Sequence, residues 1–553
     1  MSLEKFQGIE NAHKRAILKT MGLTDDDLSK PLVAVVATST NMPNGNHIYR
    51  IIDSVKAGIL AKGGVPVVMS IPSFCDEFSL GSEGAKYALP SRELIADSVE
   101  SILISHSFDG AVFVPINDTA SAGMLLGSIR INIPSIFVSS GCMASSRLNG
   151  KNINFNSVLE AQGKVRSGEM DLSEASTIEN TACSFCGYSC TSGVNNAMDC
   201  FIETIGMALS GNGSIPAGMS DRIRLAKNSG IALMKLISND ITPRMIMTRD
   251  AFLNAITVDL SIGTSTSTLL HVLAFIEECG IQKLDLEAIS KMSTKIPSLF
   301  ALSPTQAYDN LDFYMAGGVM AVMRELNKNG LIVGNTITAS NKPVSSVFAS
   351  AKIANSNVIK TIDNAVFPTS SLVIMDKGNL ADYAVVRKVF DGKSATQFVG
   401  KAKVFNSEED AVNSINAGNI KKGDIVVIRY EGPKGGPGMR EMIAPIVALV
   451  GQGLQNDVAL ITDGRFASGL NALAVDCIAP EAMAHGKIAL IEDGDKITID
   501  LTKAKLDVDM NAKDAKIREK KLRLKDSNPT GYLLRYKYLV TSSDKGATLK
   551  KKF

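Results

Sequence analysis

The sequence predicts an α/β protein with an N-terminal parallel-sheet domain carrying a helical insert, followed by a C-terminal β-rich, barrel-like domain. Three observations carry this. Strand-like and helix-like segments alternate through the first third. A mainly helical stretch runs from about Asn196 to Asn327. From about Thr361 short apolar strands alternate with Gly, Asp and Asn turns. Repeated β–α alternation argues for a parallel sheet covered by helices, and closely spaced short strands argue for a barrel.

Leu32–Thr38 is an apolar run of strand length. Ile51–Gly63 reads as a helix ending in a glycine pair, and Pro66–Ile71 as the next strand. Ser91–Ser105 has helical apolar spacing, and Gly110–Pro115 is a strand that stops at Asn117-Asp118. Sites in such sheets lie beyond the carboxyl ends of the strands, where Asp76 and Asp118 fall. Gly263–Thr268 is a small polar loop opening into a helix, Leu269–Glu278. Ser265 and Thr266 there either cap the helix or receive a substrate carboxylate. In the C-terminal part VVIRYEG, ALITDGR, KIALIEDGD and KITIDL read as strands. The linker lies within Lys342–Pro368, giving domains of residues 1–360 and 361–553.

The 553 residues are 45% apolar and 21% charged, with a formal charge of +2. That balance points to no nucleic-acid or membrane partner. No run of spanning length and no secretory apolar segment is present. Eight cysteines in so long a chain suggest no disulfide framework, so a reducing, cytoplasmic setting is expected. Lys550–Lys552 reads as a solvated terminus.

The richest chemistry lies between Gly423 and Gly469. The apolar run Asp424–Tyr430 enters Glu431-Gly-Pro-Lys-Gly-Gly-Pro-Gly, whose glycines let the backbone approach a ligand and aim N–H groups into a concavity. A second strand, Ala459–Thr462, ends on Asp463 and Arg465. Lys434 and Arg465 are candidates to pair with a substrate carboxylate or to form surface ion pairs. The loop lacks GK[ST] and the GxGxxG spacing of nucleotide sites. His47 follows PNGN near a helix start, in a substrate or a capping role. Cys183-x2-Cys186-x3-Cys190 is the close cysteine cluster, either thiolate ligands or small buried hydrophobes.

These residues, with LPSRELIADSVE (Leu89–Glu100), GMLLGSIRINIPSIFVSSG (Gly123–Gly141), GNGSIPAG (Gly211–Gly218), STLLHVLA (Ser267–Ala274), AGGV (Ala316–Val319), GNLADYAVV (Gly378–Val386), IAPEA (Ile478–Ala482) and IEDGD (Ile491–Asp495), resemble the dihydroxy-acid dehydratase / phosphogluconate dehydratase family in collinear order. The resemblance implies dehydration of a 2,3-dihydroxy acid. It implies Mg²⁺ on carboxylates that map to Asp76, Asp118 and Glu431, and a homodimer. It also implies an iron–sulfur cluster on three cysteines and a serine base. Here those positions read Asn44, Asn117 and Cys190 for the cluster, and Thr119 for a modified lysine. The family's Phe-Ser-Gly-Gly reads Phe466-Ala467-Ser468-Gly469, leaving Ser468 as the candidate base. Family histidines map to Ser82 and Cys477. Two readings follow: a hydro-lyase acting on a small 2,3-dihydroxy or sugar acid, as in branched-chain amino-acid synthesis; or a divergent paralog without cluster or turnover that binds an acidic metabolite or serves as a non-catalytic partner.

Overall fold

The computed structural model describes residues 5–38, 43, 45–72, 74–188, 196–263, 265–300, 308–387, 396–467, 472–525 and 527–550. The fold is mixed α/β, with a parallel sheet in the N-terminal part and a barrel-like sheet in the C-terminal part, as the sequence predicts.

The first sheet contains β1 (Leu32–Ala37), β2 (Val65–Ser70), β3 (Gly110–Val114) and β4 (Ser135–Phe137), in the order β2-β1-β3-β4, all parallel. Every residue of β1, β3 and β4 is buried, so these strands read as unbroken apolar runs rather than alternating ones. Phe113 and Phe137 stack at 4.8 Å inside this layer. Helices Ile48–Leu60, Ala88–His106, Asp118–Ile131 and Ser220–Ser238 cover the sheet, and a small hairpin of β5 (Ser146–Leu148) and β6 (Lys151–Ile153) projects from it. The helix predicted over Ile51–Gly63 starts one turn earlier, at Ile48. The helix predicted from Leu269 starts at Thr266, because Ser265 caps it by accepting the Ser267 N–H.

The second sheet comprises β7 (Leu372–Met375), β8 (Lys377–Gly378), β9 (Tyr383–Arg387), β10 (Gln397–Phe405), β11 (Asp424–Ile428), β13 (Ala459–Thr462), β15 (Leu473–Ala479), β16 (Lys496–Asp500) and β17 (Lys505–Val508). The remaining two strands, β12 (Glu441–Met442) and β14 (Arg465–Phe466), pair with each other outside it. The order is β7-β9-β15-β13-β11-β10-β16-β17-β8. Its two outermost strands, β7 and β8, are separated only by Asp376, so the sheet curls until its edges are neighbours. Its middle, β10-β11-β13-β15, is parallel, with helices Glu408–Asn416 and Ala444–Gly451 as crossovers. Of the four predicted segments, KIALIEDGD is not a strand. Lys487–Leu490 forms a 3-10 turn instead.

Two glycines permit close packing, one between the halves and one within the N-terminal part. A Cβ at Gly438, whose φ is +97°, would sit 2.0 Å from the Lys86 carbonyl oxygen, so the Gly-rich loop docks against the start of helix Ala88–His106. A Cβ at Gly123 would sit 2.6 Å from the Arg92 carbonyl oxygen, which lets helices Ala88–His106 and Asp118–Ile131 pack closely. Among the described residues, no helix is long and apolar enough to cross a membrane.

Candidate functional site

Beyond the carboxyl ends of β2 and β3 lies a cavity of about 100 Å³, closed on its far side by the C-terminal half. Asp76, Glu77, Asp118, Tyr188 and His271 line it from the N-terminal part, and Glu441, Arg465 and Ala467 from the C-terminal part. The strand-end rule therefore located two of its acids.

One wall is acidic. Asp76 opens the short helix Asp76–Ser79, and its Oδ2 accepts a 3.0 Å hydrogen bond from Thr119 Oγ1. Its Oδ1 is buried without a partner. Burial, with the charges of Glu77 and Glu441 adding, pushes Asp76 up to about 7. Asp118 is the first residue of helix Asp118–Ile131, and its Oδ1 accepts the Met198 N–H at 3.2 Å. Burial, then the charge of Asp199, raises Asp118 well above the usual carboxylate range, with Asp76 and Glu441 adding. The first turn of a helix favours a negative charge, but here burial, with the crowding of like charges behind it, wins.

The opposite wall donates. Arg465 is fixed by Nε to the Met439 carbonyl at 2.9 Å and by Nη1 to Ser267 Oγ at 3.1 Å, and lies 3.9 Å from Glu441. Ser265, Ser267, Thr268 and His271 line the same wall from helix Thr266–Cys279 and its cap. Burial, then Arg92 and Arg465, holds His271 well below the usual imidazole value. At the back, Tyr188 donates to Asp199 Oδ2 at 2.5 Å, and Ser121 Oγ donates to Oδ1 at 3.0 Å.

Several predicted residues stand elsewhere. Glu431 does not line the cavity. Arg440 grips it through Nε at 3.0 Å and Nη2 at 2.7 Å, and the Glu408 N–H adds a third contact. The acid that the C-terminal part brings to the cavity is Glu441, ten residues on. The Gly-rich loop does form an N–H concavity, but the chain fills it itself: the N–H groups of Lys434 and Gly435 donate to the Glu481 carboxylate at 2.9–3.2 Å. Lys434 is accordingly not a cavity residue. His47 donates through Nε2 to the Ser140 carbonyl at 3.0 Å, and Thr266 donates to Asp476 Oδ2 at 2.7 Å, so neither lines the cavity. Ser468, Cys190 and Asn44 lie outside the described residues. Glu441 sits in the GMREM segment and His271 in STLLHVLA. The available signal for both was strand alternation against Arg440 and helical spacing from Thr268.

The donors can be weighed against the implied cofactors. No described cysteine lines the cavity. Asn117 spends its Oδ1 capping helix Asp118–Ile131 through the Ala120 N–H and its Nδ2 on the Phe74 carbonyl. Burial raises the Cys75 thiol to about 12 and the Cys200 and Cys477 thiols well above their usual value. The described residues thus do not fit an iron–sulfur cluster. Oxygen donors do fit a hard divalent cation. Asp76 Oδ1 is unsatisfied, and the crowded carboxylates call for a positive charge. Among the described residues no three Asp, Glu, His or Cys side chains close around one point. Mg²⁺ needs no such cage, since it keeps several waters and uses one or two carboxylates.

Carboxylates thus face an arginine across a cavity that both halves of the chain line. Residues 30–347 match the N-terminal part of the dihydroxy-acid/6-phosphogluconate dehydratase family and residues 357–547 its C-terminal part. The chain is 44% identical over 549 residues to the dihydroxy-acid dehydratase of Acetivibrio thermocellus, covering 99% of each protein. It is 42% identical over 545 residues to that of Pyrococcus abyssi, covering 98% of each. This chain belongs to the dihydroxy-acid/6-phosphogluconate dehydratase family. The likeness runs the whole length and favours the dehydratase reading; nothing in it favours a non-catalytic paralog.

Proposed function

We propose that the chain is a hydro-lyase that removes water from a small 2,3-dihydroxy acid of the branched-chain amino-acid type. The observation that carries this is the pairing of Asp76, Asp118 and Glu441 with Arg465 across one cavity. Arg465 is the sole cation lining it among the described residues, so one carboxylate is matched and a second anionic group such as a phosphate is not. That favours a plain dihydroxy acid over a phosphorylated sugar acid.

One or two carboxylates of the group Asp76, Asp118 and Glu441, together with water, would hold Mg²⁺, which would supply positive charge beside the substrate carboxylate and hydroxyls. Arg465, locked by Ser267 and Met439, orients the carboxylate. Loss of the C2 proton and of the C3 hydroxide releases one water and leaves an enol that becomes the 2-oxo acid. Ser468, which follows the cavity residue Ala467 in sequence, is assigned as the proton acceptor. Thr119 holds Asp76 in place through its hydroxyl.

The test is anaerobic purification, iron and sulfide analysis, and assay of 2-oxo acid formation with Mg²⁺ from a branched 2,3-dihydroxy acid and from 6-phosphogluconate. Turnover of the former that Ser468→Ala abolishes is expected. Turnover of the phosphorylated acid alone, or of neither, would overturn the reading.

A further inference from the structure

One buried arginine outside the cavity determines what one cavity residue can do. Arg92, fully buried, donates Nε and Nη2 to Glu93 Oε1 at 2.9 and 2.7 Å. Its Nη2 also donates to the carbonyls of Gly546 and Ala547 at 2.9 and 2.8 Å. Its Nη1 lies 3.3 Å from Nδ1 of His271. A guanidinium can only donate, so Nδ1 of His271 must accept and carries no hydrogen. With the ring kept neutral by burial between Arg92 and Arg465, its one proton belongs on Nε2. His271 itself lines the cavity, on the helix whose Ser267 holds Arg465.

Building on the dehydratase reading above, we propose that His271 is a catalytic residue that donates its Nε2–H, as a neutral imidazole, to a substrate oxygen gaining negative charge as water is lost, and that Arg92 is the positioning residue that fixes this tautomer. The imidazole makes a hydrogen bond and transfers no proton, so the reaction balance is that of the dehydration alone. A neutral imidazole suits this role. It is a donor whose protonation does not compete with the adjacent guanidiniums, and it acts where charge develops rather than where it already exists.

Two measurements test it. In the first, ¹⁵N-histidine NMR of the wild-type protein, assigned with His271→Gln, reads the tautomer without turnover. Nε2–H is expected, and it should shift when a non-reactive 2-hydroxy acid is added. An Nδ1–H or doubly protonated ring, or a His271 signal indifferent to the acid, would overturn the proposal. Arg92→Gln, whose amide can present either an acceptor or a donor to Nδ1, should mix the tautomers; an unchanged Nε2–H in that variant would remove Arg92 from its role. In the second, kcat and KM are measured with the dihydroxy acid. His271→Leu should lose kcat by about 100-fold with KM altered less, and His271→Gln, which keeps a donor, should recover most of it. Full activity in His271→Leu would overturn the proposal. If wild type turns over no dihydroxy acid, the functional reading fails, while the tautomer and acid-binding results still decide the donor assignment.

Discussion

Two groups of carboxylates, one built on Arg440 and the other including its neighbour Glu441, are handled in different ways. Around Arg440 sit Glu408, Glu409 and Glu431, with Glu83 at 4.0 Å, and the guanidinium reaches three of them closely: Glu409 at 2.6 Å, Glu431 at 2.7 Å, Glu408 at 3.2 Å. Around the cavity sit Asp76, Asp118 and Glu441, with Arg465 only 3.9 Å from Glu441 and an oxygen of Asp76 left unsatisfied. Arg440 and Glu441 are adjacent, and the strand geometry sends neighbouring side chains to opposite faces. In the inner group one guanidinium bridges three carboxylates, although Glu408 Oε1 stays buried without a partner. In the cavity group the one arginine lies 3.9 Å from one carboxylate, which leaves negative charge for a ligand to answer. Acidic residues with the same surroundings in sequence thus divide by whether the fold already provides their counter-charge.

The comparison can be broken most forcefully at Arg440. Arg440→Met leaves two buried carboxylates, Glu408 and Glu431, without their cation and should cost about 3–5 kcal/mol in urea unfolding. A loss below about 1 kcal/mol would mean the cluster relaxes into solvent. Next comes the pair Glu431→Gln and Glu441→Gln. Glu441→Gln should lower kcat/KM about 100-fold and abolish the Mg²⁺-induced rise in Tm while leaving the metal-free Tm nearly unchanged. Glu431→Gln should lower the Tm and keep the Mg²⁺ response. The reverse pattern would assign the metal to Glu431.

A smaller effect separates Glu408 from its neighbours. Burial, with Glu431 and Glu409 close by, raises Glu408 from 4.5 to about 7 despite Arg440. A carboxyl whose folded pKa lies above its unfolded value binds its proton more tightly when folded. Its contribution is therefore full below about pH 4 and is lost as pH rises through 7. Glu408→Gln should remove that decline, making the variant more stable than wild type by about 2 kcal/mol at pH 8. Parallel pH–Tm curves would refute the assignment. The smallest change expected is Thr119→Val, which deletes the 3.0 Å donor to Asp76 and should cost about 1 kcal/mol in Mg²⁺ binding, read by calorimetry.

Much of the architecture was legible in the sequence because buried parallel strands leave unbroken apolar runs, as Leu32–Thr38 and Gly110–Pro115 do. Asp76 and Asp118 were legible for the same reason, since strand ends mark where ligands sit. Glu431 misled because it ends an apolar strand beside glycines, the same local setting, and only Arg440, which reaches it from nine residues away, shows it to be neutralised. Lys434 misled because the anion filling its loop, Glu481, lies far along the sequence. His271 carried only its helical spacing from Thr268, a weak sign, since a histidine in an apolar helix is ordinary until Arg92 is seen behind it. KIALIEDGD carried strand-like composition, yet Lys487–Leu490 turns.

The bonds from Arg92 to Gly546 and Ala547 join helix Ala88–His106 to a turn 454 and 455 residues further along the chain. During synthesis the backing of the histidine therefore cannot form until that turn has been made. A nascent polypeptide still lacking it would own every cavity-lining group and yet leave the imidazole unoriented.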